Sequence, residues 1–284
     1  MTIWPGGAKC ALTLTFDFDA ETNWLSRDPA NAKRPGTLSQ GTYGARVGIL
    51  NVLSLLREQA LKGTFFVPGW VVDNRTQRVE AIVRDGHEIG HHGYWHKWVD
   101  PDFPEQELEE MEAGLHALKS QFGIVPAGYR SPAGETSSNL IRILSEKGFL
   151  YDSSLMDSVD PYYHCLEDGF QGPVELPWHW SLDDAPFMLF SIMSPRPIFT
   201  NEHVLSIWKA EFEAIRETGG LINLVMHPQA IGRPSRMTML RQFIEFTRGF
   251  GDVWYATCSE VAGHWARNNK FDPADCAINP FIKV

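Results

Sequence analysis

Four of the chain's ten histidines, His87, His91, His92 and His96, fall within residues 86–97. Neutral imidazole is the commonest nitrogen ligand for zinc and its neighbours in the metal series. His87 with His91, and His92 with His96, share a four-residue spacing, and on a helical turn either pair would present both rings on one side. A lone pair of this kind more often caps a turn or hydrogen-bonds locally, so a metal site needs a third ligand from elsewhere. Residues 11–16, Ala-Leu-Thr-Leu-Thr-Phe, are β-branched and apolar and lead into Asp17, Phe18 and Asp19. Strand residues two apart share a face, so Asp17 and Asp19 project together from a strand's C-terminal end, where α/β barrels carry their chemistry. The plainer alternative is a turn with two solvated aspartates.

The elements that must hold these groups alternate along the chain. Helical spacing marks 45–61, 76–85, 104–122, 138–148, 201–218, 237–250 and 259–268. Strand-like runs fall at 63–67, 88–90, 128–132, 149–154, 173–178, 220–226 and 252–257. Residues 21–43, polar and rich in Pro, Gly and Asn, read as a long irregular connection directly after the aspartates, placed to act as a lid. Strands alternating with helices predict a mostly parallel sheet, wrapped as a distorted (β/α) barrel with its polar residues on one rim. No linker or internal repeat interrupts the pattern, so a single domain over 1–284 is expected.

A chain of 284 residues, 43% hydrophobic and 21% charged, can bury a full core. Its formal net charge of −10 argues against nucleic-acid binding and adhesion to anionic membranes. Cys10, Cys165, Cys258 and Cys276 show no C-x-x-C spacing, which suits a reduced cytosolic setting. The apolar run at 11–16 is too short for a signal-peptide core or a membrane span, so a soluble cytoplasmic protein is expected. Trp24, Trp70, Trp95, Trp178 and Trp180 could wall a ring-shaped pocket, although tryptophan is as often plain core.

Several of these stretches together resemble the polysaccharide deacetylase family, the NodB-homology or carbohydrate esterase 4 fold. Thr15-Phe16-Asp17-Phe18-Asp19 is similar to its T-F-D-D-G motif, and His92-Gly93-Tyr94-Trp95-His96 to H-[ST]-x-x-H. Arg130-Ser131-Pro132-Ala133-Gly134 is similar to R-x-P-x-G, and Leu224-Val225-Met226-His227 to the strand ending in histidine. The resemblance covers roughly residues 10–262. It departs at Phe18, which separates the aspartates, and at Gly93, which replaces Ser or Thr. Both departures resemble an intracellular subgroup of cyclic imide hydrolases, metal-independent allantoinases and a Helicobacter peptidoglycan deacetylase.

The resemblance implies a metal site of Asp19, His92 and His96, with zinc the first choice and cobalt, nickel or iron allowed by ligand chemistry. It leaves His91 as a neighbour and gives His87 a structural role. It implies Asp17 as general base, oriented by Arg130, and His227 as general acid, with Asp152 as its orienting carboxylate. A backbone N–H near Tyr129 or Arg130 would help stabilise an oxyanion. Trp24, Tyr94, Tyr129, Trp178 and Trp180 are the expected substrate contacts. The implied reaction is hydrolysis of a non-peptide C–N bond, either in a small cyclic imide or amide or in an N-acetylated saccharide such as peptidoglycan. The missing export signal, the acidic charge and the D-x-D form favour the small molecule. A non-haem iron oxygenase or a non-catalytic relative are remote alternatives. Members of the subgroup are commonly tetramers, so a homo-oligomer is expected.

Overall fold

A computed structural model describes residues 4–274, except 101, 138, 167–168 and 193–194. Its strands, in chain order, are β1 (Cys10–Asp17), β2 (Thr64–Val67), β3 (Glu88–His91), β4 (Gly128–Tyr129) and β5 (Tyr151–Asp152). They continue with β6 (Tyr162–Cys165), β7 (Gln171–Glu175), β8 (Leu221–Met226) and β9 (Val253–Tyr255). The sheet order is β6-β7-β5-β4-β3-β2-β1-β8, and β9 pairs with the first residues of β1. Every pairing is parallel except that of β6 with β7. The sheet curls into a half-barrel wrapped by helices, the distorted (β/α) barrel expected from the alternation. A parallel sheet puts the C-terminal ends of its strands on one rim. That rim receives Asp17 from β1, His91 from the end of β3 and His92 just after it, Arg130 after β4, Asp152 from β5 and His227 after β8.

The two faces of β1 explain how a polar site survives inside an apolar fold. Leu12, Leu14 and Phe16 point outward into the main core, beside Ile49, Val52, Leu53 and Leu56 of the helix Ile49–Glu58. Each such side chain, fully buried, contributes roughly 1.5–3 kcal/mol. The alternate residues Thr13, Thr15 and Asp17 face the barrel interior, and all three are buried. The helix Asn201–Thr218 runs over the expected span, from a Thr200 cap to Gly219 in the left-handed region.

Three expectations change. Residues 21–43 are not irregular: they form a short helix Thr22–Leu25, a tight turn Pro29–Lys33 and a helix Pro35–Tyr43. Tertiary anchors overrode the weak propensity, because Asn31 donates to Trp24 O and Thr42 to Glu21 Oε1. The antiparallel β6 and the helix Gly69–Asn74 were not anticipated; both are short. Cys165 is disulfide-bonded, against the expectation of a wholly reduced set, while Cys10 and Cys258 are buried free thiols. The helix expected at 138–148 is seen as Leu140–Lys147, Ser138 lying outside the described residues. Among the described residues no helix is long and apolar enough to cross a membrane.

Candidate active site

Asp17 ends β1, and Asp19 follows where the chain turns sharply through Ala20, whose φ of 49° is left-handed. Thr22 fixes that turn by donating both its N–H and its hydroxyl to Asp19 O. The two carboxylates therefore share a direction but meet different neighbours.

Asp17 Oδ1 accepts from Arg130 Nη1 at 2.8 Å. Arg130 is 1% exposed and held on every side. It donates to Thr15 Oγ1, to Ser153 O and Oγ, and to Asn223 Oδ1, and lies 4.2 Å from the Phe66 ring centroid. Burial opposes ionisation of Asp17, but the charge of Arg130, with that of His227, outweighs it and holds the carboxyl below its ordinary range. Asn223 is the residue that sequence reasoning missed here. Its signal was a lone amide inside the apolar run of β8, now seen donating to Ser153 Oγ and Leu176 O.

Asp19 Oδ1 has no hydrogen-bond partner, although it is buried, and the same is true of His92 Nε2. Asp19 Oδ1 lies 3.5 Å from His92 Nε2 and 3.6 Å from His96 Nε2. Atoms that bind one tetrahedral ion at about 2.0–2.2 Å stand about 3.3–3.6 Å apart. The three residues fit a divalent metal. Asp19 Oδ2 is steadied by Asn23 and Gln229, each donating at 3.3 Å. His92 Nδ1 lies 2.7 Å from Arg130 O, so it carries the proton and Nε2 presents a lone pair. Burial lowers the pKa of His92 to about 4 and that of His96 to about 3, keeping both rings neutral, as ligands must be.

The pair His92 and His96 does not sit on a helix. The chain between them turns through Gly93 (φ 69°) and His96 (φ 60°), and Glu110 accepts from the N–H groups of Tyr94 and Trp95. The left-handed backbone at the second motif position favours glycine, which accounts for Gly93 where the family motif has Ser or Thr. His91 points the other way, its Nε2 2.9 Å from Met111 O, and His87 accepts from Gly63 N at the far end of β3.

Beside this cluster, His227 Nε2 lies 4.0 Å from Asp17 Oδ2 and 3.8 Å from Asp19 Oδ2. Its Nδ1 lies 2.7 Å from Asp184 Oδ1, and Asp183 Oδ1 is 3.6 Å away. Burial opposes a charge on His227, but Asp183 and Asp184 outweigh it and raise its pKa well above the ordinary value. The expectation that Asp152 orients His227 is therefore corrected. Asp152 ends β5 and its side chain meets Ser153 N, Ser154 and His164, while its neighbour Ser153 is the one that faces Asn223 of β8. The signal for Asp183 and Asp184 was their place after the extended run 173–178. Only the bridge from Asp183 to Val225 brings them beside β8.

Asp183, Asp184 and His227, and likewise Asp152, His164 and Glu175, could also surround an ion. In both sets, however, the imidazole is already hydrogen-bonded to a carboxylate, at 2.7 and 2.8 Å. Asp19, His92 and His96 converge without such a bond, which makes theirs the better metal site.

A cleft of about 370 Å³ opens over Asp17, His96 and His227, walled by Trp98, Trp178 and Trp180. Trp24 lines a smaller adjoining hollow. Tyr129 and Tyr94 do not reach the cleft. Arg130 points into the barrel, so its strand neighbour Tyr129 points out, against His91 and Phe149. The Tyr94 hydroxyl donates to Asp73, and Trp70 and Trp95 pack on each other away from the cleft. Arg130 N–H is donated to His91 O within the sheet, so it is not free to meet an oxyanion.

A (β/α) half-barrel with this rim defines a NodB-like protein. The family model described as polysaccharide deacetylase matches residues 43–151. A candidate polysaccharide deacetylase from Mycobacterium smegmatis is 40% identical over 94% of this chain and 93% of its own, with a TM-score of 0.88. The chain belongs to the polysaccharide deacetylase family. A peptidoglycan deacetylase of Helicobacter pylori is 29% identical over 89% of this chain and 95% of its own length. An allantoinase, 23% identical over 95% of this chain and 94% of its own, shares the fold with a TM-score of 0.82.

Proposed function

We propose that this chain is a single catalytic domain, a zinc-dependent amidohydrolase that opens a small cyclic imide or amide. The observation that carries the metal-dependent reading is Asp19 Oδ1, buried and unpartnered between His92 Nε2 and His96 Nε2. A bound divalent ion polarises a carbonyl and lowers the pKa of water towards neutrality. The rest is the work of side chains. Arg130 keeps Asp17 ionised and fixed, so Asp17 accepts the proton of the attacking water. His227 has Nδ1 committed to Asp184, so the proton it gives to the leaving nitrogen comes from Nε2. Trp178 and Trp180 supply flat apolar walls on one side of the cleft.

The small-ring reading is supported by a cleft near the lower end of the range for small-molecule sites. The name of the Helicobacter relative supports the second reading, removal of N-acetyl groups from a saccharide. Proton NMR of zinc-loaded protein with succinimide, hydantoin and short N-acetylglucosamine oligomers separates the two. Ring-opened products without free acetate are expected. Free acetate with intact rings would make it a de-N-acetylase.

A further inference from the structure

The cleft extends past the metal cluster. Its outer wall carries Arg27 and Arg196, and the same two arginines line the small adjoining hollow with Asn23, Trp24, Leu189 and Phe190. They are the only charged residues among those lining that hollow. Elsewhere Arg57, Arg75, Arg130, Arg142, Arg216 and Arg241 each hold a carboxylate. Among the described residues Arg27 and Arg196 have neither an ion pair nor a hydrogen-bond partner, and Arg27 rests only against the Trp98 ring, 5.6 Å from its centroid. Glu135 also borders the cleft but pairs with neither.

Two unpaired guanidinium groups in one wall repel each other. Partial burial lowers the pKa of Arg27, the more distant charge of Asp19 opposes that without forming an ion pair, and the charge of Arg196 adds to it, so the two guanidinium groups are within electrostatic reach. An anion between them removes that repulsion and takes charge-assisted hydrogen bonds, for which the planar fork of arginine is suited. The rest of the molecule would repel an anionic ligand, since the net charge is −10 and the deep end of the cleft is rich in aspartate. The positive pair is thus a local inversion of the field on the wall of the cleft that holds Asp17 and His227.

We propose that Arg27 and Arg196 form an anion subsite, and that the substrate of this cleft carries a carboxylate seated there, away from the bond that is cleaved. This deepens the amide-hydrolysis reading and rests on it for the identity of the scissile bond. A neutral N-acetylglucosamine polymer would leave both guanidinium groups unpaired. A cyclic imide or ureide with a carboxylate side arm uses the cleft and the hollow together.

The test compares hydantoin with hydantoin-5-acetate on the wild-type, Arg27→Gln, Arg196→Gln and doubly substituted enzymes, all zinc-loaded. The wild type is expected to favour the carboxylated ring in kcat/KM, and the ratio to fall about tenfold or more in the double variant, mainly through KM. A ratio that the substitutions leave unchanged overturns the subsite. If neither ring is opened, the ring-opening reading is at fault, and glutarate binding followed by tryptophan fluorescence still decides the subsite. Glutarate affinity about tenfold weaker in the double variant supports it. Equal affinity in wild type and variant overturns it.

Discussion

At the scale of single residues, two aspartates two positions apart are set to different tasks by their neighbours. Asp17 meets a guanidinium and is held ionised, while burial raises the pKa of Asp19, whose Oδ1 faces two neutral imidazoles. An ion among these ligands relieves that cost; at Asp17 the arginine already does so. Asp17→Asn is therefore expected to keep its zinc, measured by metal analysis after dialysis, while turnover falls by about 10²–10⁴. Asp19→Asn is expected to lose both. Full turnover by metal-loaded Asp17→Asn would rule out the base assigned here. The imidazole across the cleft gives a second contrast, because Asp184 touches His227 and Asp152 does not. Asp184→Asn is expected to cut kcat by about tenfold or more at unchanged zinc content, since the leaving nitrogen loses its oriented acid. Equal kcat in wild type and Asp184→Asn would mean that the acid lies elsewhere.

At the scale of elements, the strands carry a polar layer through the barrel. Thr13 and Arg130 both donate to Asn223 Oδ1, and Asn223 in turn donates to Ser153 Oγ, so β1, β8 and the ends of β4 and β5 are tied around Asp17. Asn223→Ala leaves these groups short of partners. It is expected to cost about 1–3 kcal/mol in urea denaturation and to lower turnover as well, because Arg130 loosens. A substitution neutral in both assays would mean that the layer does not position Arg130. The helix Glu105–Phe122 carries a pH-dependent tie of its own. Burial raises the pKa of Glu107 to about 7, against hydrogen bonds from Ser137. The folded protein therefore binds this proton more tightly than the unfolded chain does. The resulting stabilisation is full below the ordinary carboxylate pKa near 4.5 and is lost as pH rises through about 7. Wild-type Tm should fall from pH 5 to pH 8 more steeply than that of Glu107→Gln, and parallel curves would contradict the assignment. Little of this layer was legible in the sequence. A serine or asparagine looks the same in one dimension whether it faces solvent or is buried against an arginine brought in from another strand.

At the scale of the whole molecule, the proposed metal site joins the end of β1 to the turn after β3, so binding there should stabilise the fold. Zinc at about a hundredfold over its Kd is expected to add about 2.7 kcal/mol, raising Tm over that of chelator-treated protein. His92→Ala should abolish the difference; if the variant gains as much as the wild type, the ion binds elsewhere. The alternation of strands and helices, and the aspartates, histidines and arginine that follow strands, were readable from the chain alone. Period and order are one-dimensional properties, and a parallel sheet converts position after a strand into position on one rim. Which carboxylate meets His227 was not readable. Asp152 and Asp184 both lie at or after extended runs, and only the folded structure turns Asp152 towards Ser154 and His164 and sets the Asp183 bridge beside β8. The direction of Tyr129 was lost for a related reason, since a shift of one residue along a strand exchanges inside for outside. The chain order determined the rim and its chemistry, while the pairing of strands, which depends on contacts between distant residues, decided which groups on that rim touch.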